Sequence, residues 1–208
     1  MKEENEFWNS LLTEKSWEIL EQLKRDYKFI LIGGWAIYLL TKQKKSKDID
    51  IVVDIKELSK FKEKGLRKND NLKKYEVKQE EIDIDIYAEY YSKLAIPVED
   101  IKKYTIKTEG FEIASPEALL ILKQGAFEER KHSIKGMKDE IDIISLLFFS
   151  VINFKKYYEI LKKYEMEIYI DNLKKLLVIF KDCDSLNLNP REFKLKKNKI
   201  LTELKNSK

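Results

Sequence analysis

Two aspartates, Asp48 and Asp50, stand one residue apart at the start of an apolar run that indicates a β-strand. Side chains alternate between the two faces of a strand, so both carboxylates are expected on the same face. Neighbouring carboxylates repel each other unless a cation lies between or beside them, and oxygen ligands of this kind suit Mg²⁺. The pair therefore predicts a site for divalent cations.

A glycine pair, Gly33-Gly34, follows an earlier short apolar strand, and Ser46 stands two residues before Asp48. Glycine lets the backbone turn sharply, so that its N–H groups can approach a phosphate closely. Together with the aspartate pair, the glycine turn suggests phosphoryl or nucleotidyl transfer assisted by Mg²⁺.

A second acidic strand lies further along the chain, where Asp83 and Asp85 alternate with three isoleucines. A site for two metal ions needs about three carboxylates, often from neighbouring strands. We expect Asp85 to be the third carboxylate because it lies further into the strand, but Asp83 remains open. The alternative is an edge strand whose acidic face meets only water.

A helix-forming segment after Ser115 carries two cations, Lys123 and Arg130, at spacings that place them on one helix face. Asp139 and Asp142 lie one turn apart at the head of the next apolar helix. The cations could bind the β- and γ-phosphates or the leaving pyrophosphate. A surface pair of cations, with acids that compensate a helix dipole, is the alternative.

The run Gly33-Gly34 followed by Asp48-Ile49-Asp50-Ile51 resembles the signature of the DNA polymerase β-like nucleotidyltransferase superfamily. Its Gly-Gly-Trp-Ala variant is similar to that of lincosamide and aminoglycoside nucleotidyltransferases. It is also similar to the nucleotidyltransferase toxins of abortive-infection (type IV) toxin–antitoxin systems. The segment from Ser115 through Lys123 and Arg130 to Asp139 resembles the second motif of the toxin family.

The resemblance implies a nucleotidyltransferase that moves NMP from an NTP such as ATP to an acceptor hydroxyl and releases pyrophosphate. The acceptor would be RNA, such as tRNA, or a protein, and a cognate antitoxin protein would be a partner. A small-molecule acceptor of the antibiotic type and a catalytically silent, antitoxin-like binding module are the alternatives. The implied roles are two Mg²⁺ ions on Asp48, Asp50 and Asp85, triphosphate binding by Gly33, Gly34, Ser46, Lys123 and Arg130, and catalysis by Asp48, Asp50, Asp85, Lys123 and Asp139.

The elements that must position these residues indicate an α+β fold. The resemblance implies a nucleotidyltransferase-type mixed β-sheet with flanking helices in residues 1–110, and a helical region packed against it in residues 111–208. Apolar patterning predicts strands at 29–32, 49–53, 75–78, 82–87, 104–107 and 111–114. Helices are predicted at 6–26, 35–40, 57–64, 116–130, 138–150, 152–164, 166–182 and 191–205.

The composition indicates the cellular compartment of the protein. The single cysteine, Cys183, allows no internal disulfide, and the longest apolar runs are shorter than the roughly 20 residues that span a bilayer. We therefore expect a cytoplasmic protein with no membrane association. Net charge is only +4, but residues 191–208 hold seven basic and two acidic residues. A solvated surface of a lysine-rich protein accounts for this segment, which also mildly favours an RNA acceptor. Four lysines just before Asp48 would attract a triphosphate: Lys42, Lys44, Lys45 and Lys47.

Overall fold

A computed structural model of the chain describes residues 2–206, and describes residues 2–7 by their backbone alone. The chain divides into two compact units, Met1–Lys93 with Pro97–Ala114, and Leu94–Ile96 with Ser115–Lys208. The division into residues 1–110 and 111–208, and the packing of one region on the other, stay predictions. Lys208, at the end of the basic segment, lies outside the described residues.

The elements of the first unit, in chain order, are α1 (Lys2–Asp26), β1 (Ile30–Ile32), α2 (Gly33–Thr41), β2 (Ile49–Val53), α3 (Ile55–Lys60), a 3-10 helix (Phe61–Lys64), β3 (Arg67–Asn69), β4 (Lys74–Gln79), β5 (Ile82–Ala88), α4 (Val98–Ile101), β6 (Thr105–Thr108) and β7 (Phe111–Ala114). The seven strands form one mixed sheet in the order β3-β4-β5-β2-β1-β7-β6. Central strand β2 pairs antiparallel with β1 and parallel with β5, while β1 pairs parallel with β7. A mixed sheet with helices confirms the predicted α+β class.

One face of the central strands forms the core of the first unit. Ile49, Ile51, Ile84 and Ile86 are fully buried, whereas the residues between them are acidic and at least partly exposed. This alternation is the one that the sequence predicted for β2 and β5. Burial of one face fixes the register of both strands, because a slip of one residue would turn the isoleucines outward.

Helix α1 is tied to helix α2 through a buried hydrogen bond. The indole nitrogen of Trp35 donates to Ser16 Oγ at 2.8 Å, and both side chains are fully buried. Trp17 packs on Trp35 with ring centroids 5.1 Å apart. Trp35, which follows the glycine pair directly, is therefore a core residue that anchors the start of α2.

The second unit is helical. Its elements are α5 (Pro116–Arg130), α6 (Ile134–Phe149), α7 (Phe154–Lys163), α8 (Ile168–Ile179), a 3-10 helix (Asp184–Leu186) and α9 (Pro190–Asn206). Ser115 caps α5 by accepting from the Ala118 amide, and Asn153 caps α7 by accepting from the Lys156 amide. Among the described residues of the chain, no helix is long and apolar enough to cross a membrane.

Candidate active site

The predicted acidic residues of β2 and β5 lie side by side in the sheet. Asp50 is the register partner of Asp85 across the parallel pair, and of Ile32 across the antiparallel pair with β1. Neighbouring strands lie about 4.8 Å apart, and register partners point to the same face. The structure thus brings Asp50 and Asp85 together next to the strand that leads into the glycine pair.

Gly33 is required where the chain turns past Asp50. Its φ of +66° is left-handed, and a Cβ at this position would lie 2.1 Å from Asp50 Oδ2. A side chain at residue 33 would therefore be strained by the backbone and would collide with the carboxylate. The first glycine of the pair leaves room for the Asp50 side chain.

Gly34 makes the matching approach to Ser46. A Cβ at residue 34 would lie 2.6 Å from Ser46 Oγ and 2.8 Å from Ser46 Cβ. Ser46 itself is buried, with 3% of its surface exposed. The glycine pair, Ser46 and Asp50 therefore form one packed corner, as their grouping in the sequence predicted. Triphosphate binding by this corner stays a prediction.

Asp85 is held by a lysine that sequence reasoning did not single out. Lys74 Nζ donates to Asp85 Oδ2 at 2.6 Å and lies 3.2 Å from Glu76 Oε1. The Lys74 side chain is only 12% exposed, and that of Asp85 is 18% exposed. Glu76 is the register partner of Asp85 and also accepts from Asn69 Nδ2 at 2.9 Å. The polar row therefore continues from β2 through β5 to β4.

Burial and the charges of this row together shift the pKa values of Asp85 and Lys74. Burial raises the pKa of the Asp85 carboxyl, and the nearby charges of Glu76 and Asp48 add to that rise, which outweighs the opposing effect of Lys74. Burial alone would lower the pKa of the Lys74 ammonium, but its hydrogen bond with Asp85 and the charges of Asp85 and Glu76 raise it instead. Lys74 is thus a cation at neutral pH.

Asp48 and Asp83 are both exposed, in contrast to the partly buried Asp50 and Asp85. The charge of Asp48 still raises the pKa of the Asp85 carboxyl, so the Asp48 side chain lies within electrostatic reach of it. Asp83 is the register partner of Lys78 on β4. The register with Asp50 favours Asp85 as the third carboxylate, and that role stays a prediction.

The donor chemistry of Asp48, Asp50 and Asp85 fits Mg²⁺, which prefers carboxylate oxygens. Among residues 8–206, however, no three His, Cys, Asp or Glu side chains are grouped closely enough to hold a metal ion. The three predicted ligands are therefore adjacent on the sheet but are not gathered into a closed set. A metal ion would need Asp85 to exchange or share its contact with Lys74.

In the second unit, the remaining predicted site residues lie close together. Lys123 Nζ lies 3.1 Å from Asp139 Oδ1 and 2.7 Å from Asp142 Oδ2. Arg130 donates through Nε to Asp139 Oδ2 at 2.7 Å and through Nη2 to Asp139 Oδ1 at 3.0 Å. Asp139 is 1% exposed and Lys123 is 12% exposed, whereas Arg130 is 42% exposed, so the network between α5 and α6 joins a buried carboxylate to one half-exposed cation. A role of Lys123 and Arg130 in phosphate binding, and of Asp139 in catalysis, stays a prediction.

The lysines before Asp48 divide into two groups. Lys42 ends α2 in a left-handed conformation and forms an ion pair with Glu109. Lys44, Lys45 and Lys47 are exposed on either side of the buried Ser46. The exposed lysines lie next to the glycine corner and suit an approaching polyanion.

Two lysines of the basic segment 191–208 donate hydrogen bonds to helix carbonyls. Lys196 donates to the Phe148 carbonyl at the end of α6, at 2.9 Å, and Lys197 donates to the Val178 carbonyl near the end of α8, at 2.8 Å. Cations in these positions satisfy the last carbonyls of helices. Other basic residues of α9 are exposed: Arg191, Lys194, Lys199 and Lys205.

Sequence reasoning missed Lys74 and Glu76. A usable signal was present, because Lys74, Glu76 and Lys78 alternate along β4 and must share one face. The short polar turn between β4 and β5 then sets which of them oppose the acids of β5. Reading the hairpin register would have placed Glu76 opposite Asp85.

Comparison with solved structures gives matches at low sequence identity and with TM-scores below 0.5. No protein-family model matches the chain, and no curated protein matches it. An antigenic nucleotidyltransferase-like protein from Paracoccidioides brasiliensis is 15% identical with a TM-score of 0.42, covering 78% of this chain and 91% of its own. JHP933 from Helicobacter pylori is 19% identical with a TM-score of 0.43, covering 95% and 94%. A proposed nucleotidyltransferase from H. pylori is 18% identical with a TM-score of 0.45, covering 96% and 98%. Function is therefore inferred from the residues of this chain.

Proposed function

We propose that the protein is a Mg²⁺-dependent nucleotidyltransferase that moves NMP from an NTP to an acceptor hydroxyl. The observation that carries this proposal is the alignment of Asp50 with Asp85 beside a glycine turn that is packed against Asp50. Such a transfer needs two parts. The first is a turn whose backbone can approach phosphates, and the second is a set of carboxylates that can hold cations.

In the proposed reaction, the oxygen of the acceptor hydroxyl attacks the α-phosphorus of the NTP. The new P–O bond replaces the bond to the β-phosphate bridging oxygen, and pyrophosphate leaves with that electron pair. Asp85 takes the hydroxyl proton, because its carboxylate stands beside Asp50 on the same face of the sheet. Asp48, Asp50 and Asp85 would hold Mg²⁺, which would supply charge stabilisation for the phosphates.

The acceptor that we favour is RNA, as in the toxin-like members of the superfamily that the sequence resembles. The exposed basic residues of α9, among them Arg191 and Lys194, would add sequence-independent attraction to a phosphate backbone. A protein acceptor and a cognate antitoxin partner belong to the same proposal, and the labelling experiment below separates RNA from protein.

The test is incubation of the full chain with each α-labelled NTP, Mg²⁺ and total cellular RNA or protein, followed by identification of the labelled species. We expect Asp50→Asn and Asp85→Asn to reduce labelling by about 100-fold or more, because each removes a charge on which the transfer depends. Asp83→Asn is the matched control on the same strand face, and we expect it to change labelling less than about threefold. If Asp50→Asn labels the acceptor as well as the wild type does, the proposal is refuted.

A catalytically silent binding module is the second candidate, and a specific observation favours it. Lys74 already pairs with Asp85, and the described residues hold no closed group of three metal ligands. Such a module would show no NTP-dependent labelling of RNA, protein or an antibiotic-type small molecule, yet it would still bind its partner. Labelling of any of these acceptors by the wild-type chain rules it out.

A further inference from the structure

Lys74 is a cation built into the candidate metal site. Its ammonium lies 2.6 Å from Asp85 Oδ2, which is ion-pair distance to the carboxylate that we assign as the third metal ligand. The side chain is 12% exposed, so this is not a solvated surface contact. A cation of fixed charge therefore already occupies one side of Asp85.

Glu76 gives the same ammonium a second carboxylate. Glu76 Oε1 lies 3.2 Å from Lys74 Nζ, and the Glu76 side chain is steadied by the amide of Asn69 at 2.9 Å. Lys74 and Glu76 stand two residues apart on β4, so they share a sheet face with each other and with Asp85. The ammonium can thus turn away from Asp85 without losing an anionic partner.

We propose that Lys74 competes with a divalent metal ion for Asp85, and that Glu76 accepts the ammonium when the metal binds. This inference rests on the proposed function, since it takes Asp85 as a metal ligand. Two positive charges about 3–4 Å apart repel each other strongly outside bulk water. A metal ion on Asp85 therefore requires the ammonium to move, and the energy of breaking the Lys74–Asp85 pair weakens metal affinity.

The competition predicts that removal of the ammonium strengthens metal binding. Lys74→Met keeps the unbranched stem of the side chain and removes the ammonium with its charge, so Asp85 is left as an available ligand. We expect the affinity for Mn²⁺ alone, measured by calorimetry and by loss of the free-Mn²⁺ EPR signal, to increase about tenfold. Lys74→Arg keeps the charge and is expected to bind Mn²⁺ as the wild type does.

The matched control is Lys78→Met, which removes an exposed lysine from the same strand and the same face, opposite Asp83. It changes net charge as Lys74→Met does, and we expect it to change Mn²⁺ affinity less than about twofold. The effect of Lys74→Met should also vanish in an Asp85→Asn background, since the competed ligand is then absent. Circular dichroism melts confirm that each variant is folded.

The competition is refuted if folded Lys74→Met binds Mn²⁺ no more tightly than the wild type does. It is also refuted if Lys74→Met still increases Mn²⁺ affinity tenfold in the Asp85→Asn background. A failure of Mn²⁺ to bind to either the wild type or Lys74→Met also overturns it. The transfer assay separates this inference from the proposed function. Wild-type labelling that depends on Asp50, without tighter Mn²⁺ binding by Lys74→Met, refutes only the competition.

Discussion

Replacing Gly34 by alanine tests whether the second glycine of the pair exists to make room for Ser46. A Cβ at residue 34 would lie 2.6 Å from Ser46 Oγ and 2.8 Å from Ser46 Cβ, and Ser46 is 3% exposed. Only the Ser46 side chain comes that close, because the next atom is the Ser46 Cα at 3.9 Å. The backbone at Gly34 is not left-handed, so it adds no strain of its own.

The expected size of the effect follows from these contacts. Overpacking a buried site by one methyl group costs about 1–3 kcal/mol. Alanine in a helix offsets about 0.5–1 kcal/mol of this relative to glycine. We therefore expect Gly34→Ala to lower the free energy of unfolding by about 1–2 kcal/mol. Ser46→Gly removes both close atoms, so it should recover most of that loss when it is combined with Gly34→Ala.

The assay is urea unfolding of the wild type, both single variants and the double variant, followed by far-ultraviolet circular dichroism. The quantity that matters is the coupling energy of the cycle, which we expect to be about 1–2 kcal/mol in the direction of rescue. Gly33→Ala is the control, because its left-handed φ of +66° and its contact with Asp50 are untouched by Ser46→Gly.

A coupling energy near zero between Gly34→Ala and Ser46→Gly would refute the reasoning, since the clash would then lie elsewhere. Rescue of Gly33→Ala by Ser46→Gly would refute it too, because Gly33 is expected to leave room for Asp50 and only Gly34 to leave room for Ser46.

The glycine variants can also be tested in the labelling assay. Gly33→Ala should abolish labelling even where it folds, because Asp50 must move to admit the new methyl group.

Two further predictions concern the second unit. Asp139→Asn removes the carboxylate that Lys123 and the Arg130 fork share, but Lys123 keeps Asp142 and Arg130 is partly solvated. We therefore expect a loss of about 2 kcal/mol in the free energy of unfolding in urea, whereas an exposed change such as Glu165→Gln should have little effect. Burial raises the pKa of the Tyr157 hydroxyl far above its ordinary range, so only the unfolded chain ionises it above about pH 10. The free energy of unfolding is therefore retained below about pH 10 and falls above it by up to about 1.4 kcal/mol per pH unit. Tyr157→Phe should make this decline less steep. Unfolding midpoints measured from about pH 9 to 11 check this prediction.

Several elements were predicted correctly from local signals. The helix predicted at 116–130 is confirmed as Pro116–Arg130, because Ser115 supplies a cap and Pro116 suits the first turn. The strands predicted at 49–53 and 111–114 are also confirmed. Gly65 ends the helical stretch after β2 in the left-handed conformation that glycine favours.

Other elements were missed because their signals are weak or compete with stronger ones. The helix predicted to begin at 138 begins at Ile134, since Ser133 accepts from the Gly136 amide and starts the helix within a polar stretch. Strand β3, Arg67–Asn69, has no apolar alternation, and it forms only by pairing with β4 at the edge of the sheet. Tertiary pairing, rather than local propensity, decides such a strand.

The candidate site shows the same division between local and long-range information. The grouping of the glycine pair with Ser46 and Asp50 could be read from spacing, because one turn and one strand bring them together. The contact of Lys74 with Asp85 depends on the register of a hairpin, which spacing within either strand does not reveal. Residue types and their spacing therefore predicted the glycine corner, and strand pairing determined which charges meet.

The ion network of the second unit constrains how a triphosphate could be bound. Lys123 and Arg130 already lie against Asp139, which is 1% exposed. A phosphate that recruited these cations would have to replace a carboxylate that is already out of water, and breaking a buried pair is costly. The exposed Lys44 and Lys45 need no such exchange. Initial attraction of a triphosphate is therefore better assigned to the lysines beside the glycine corner, while Lys123 and Arg130 first of all join α5 to α6.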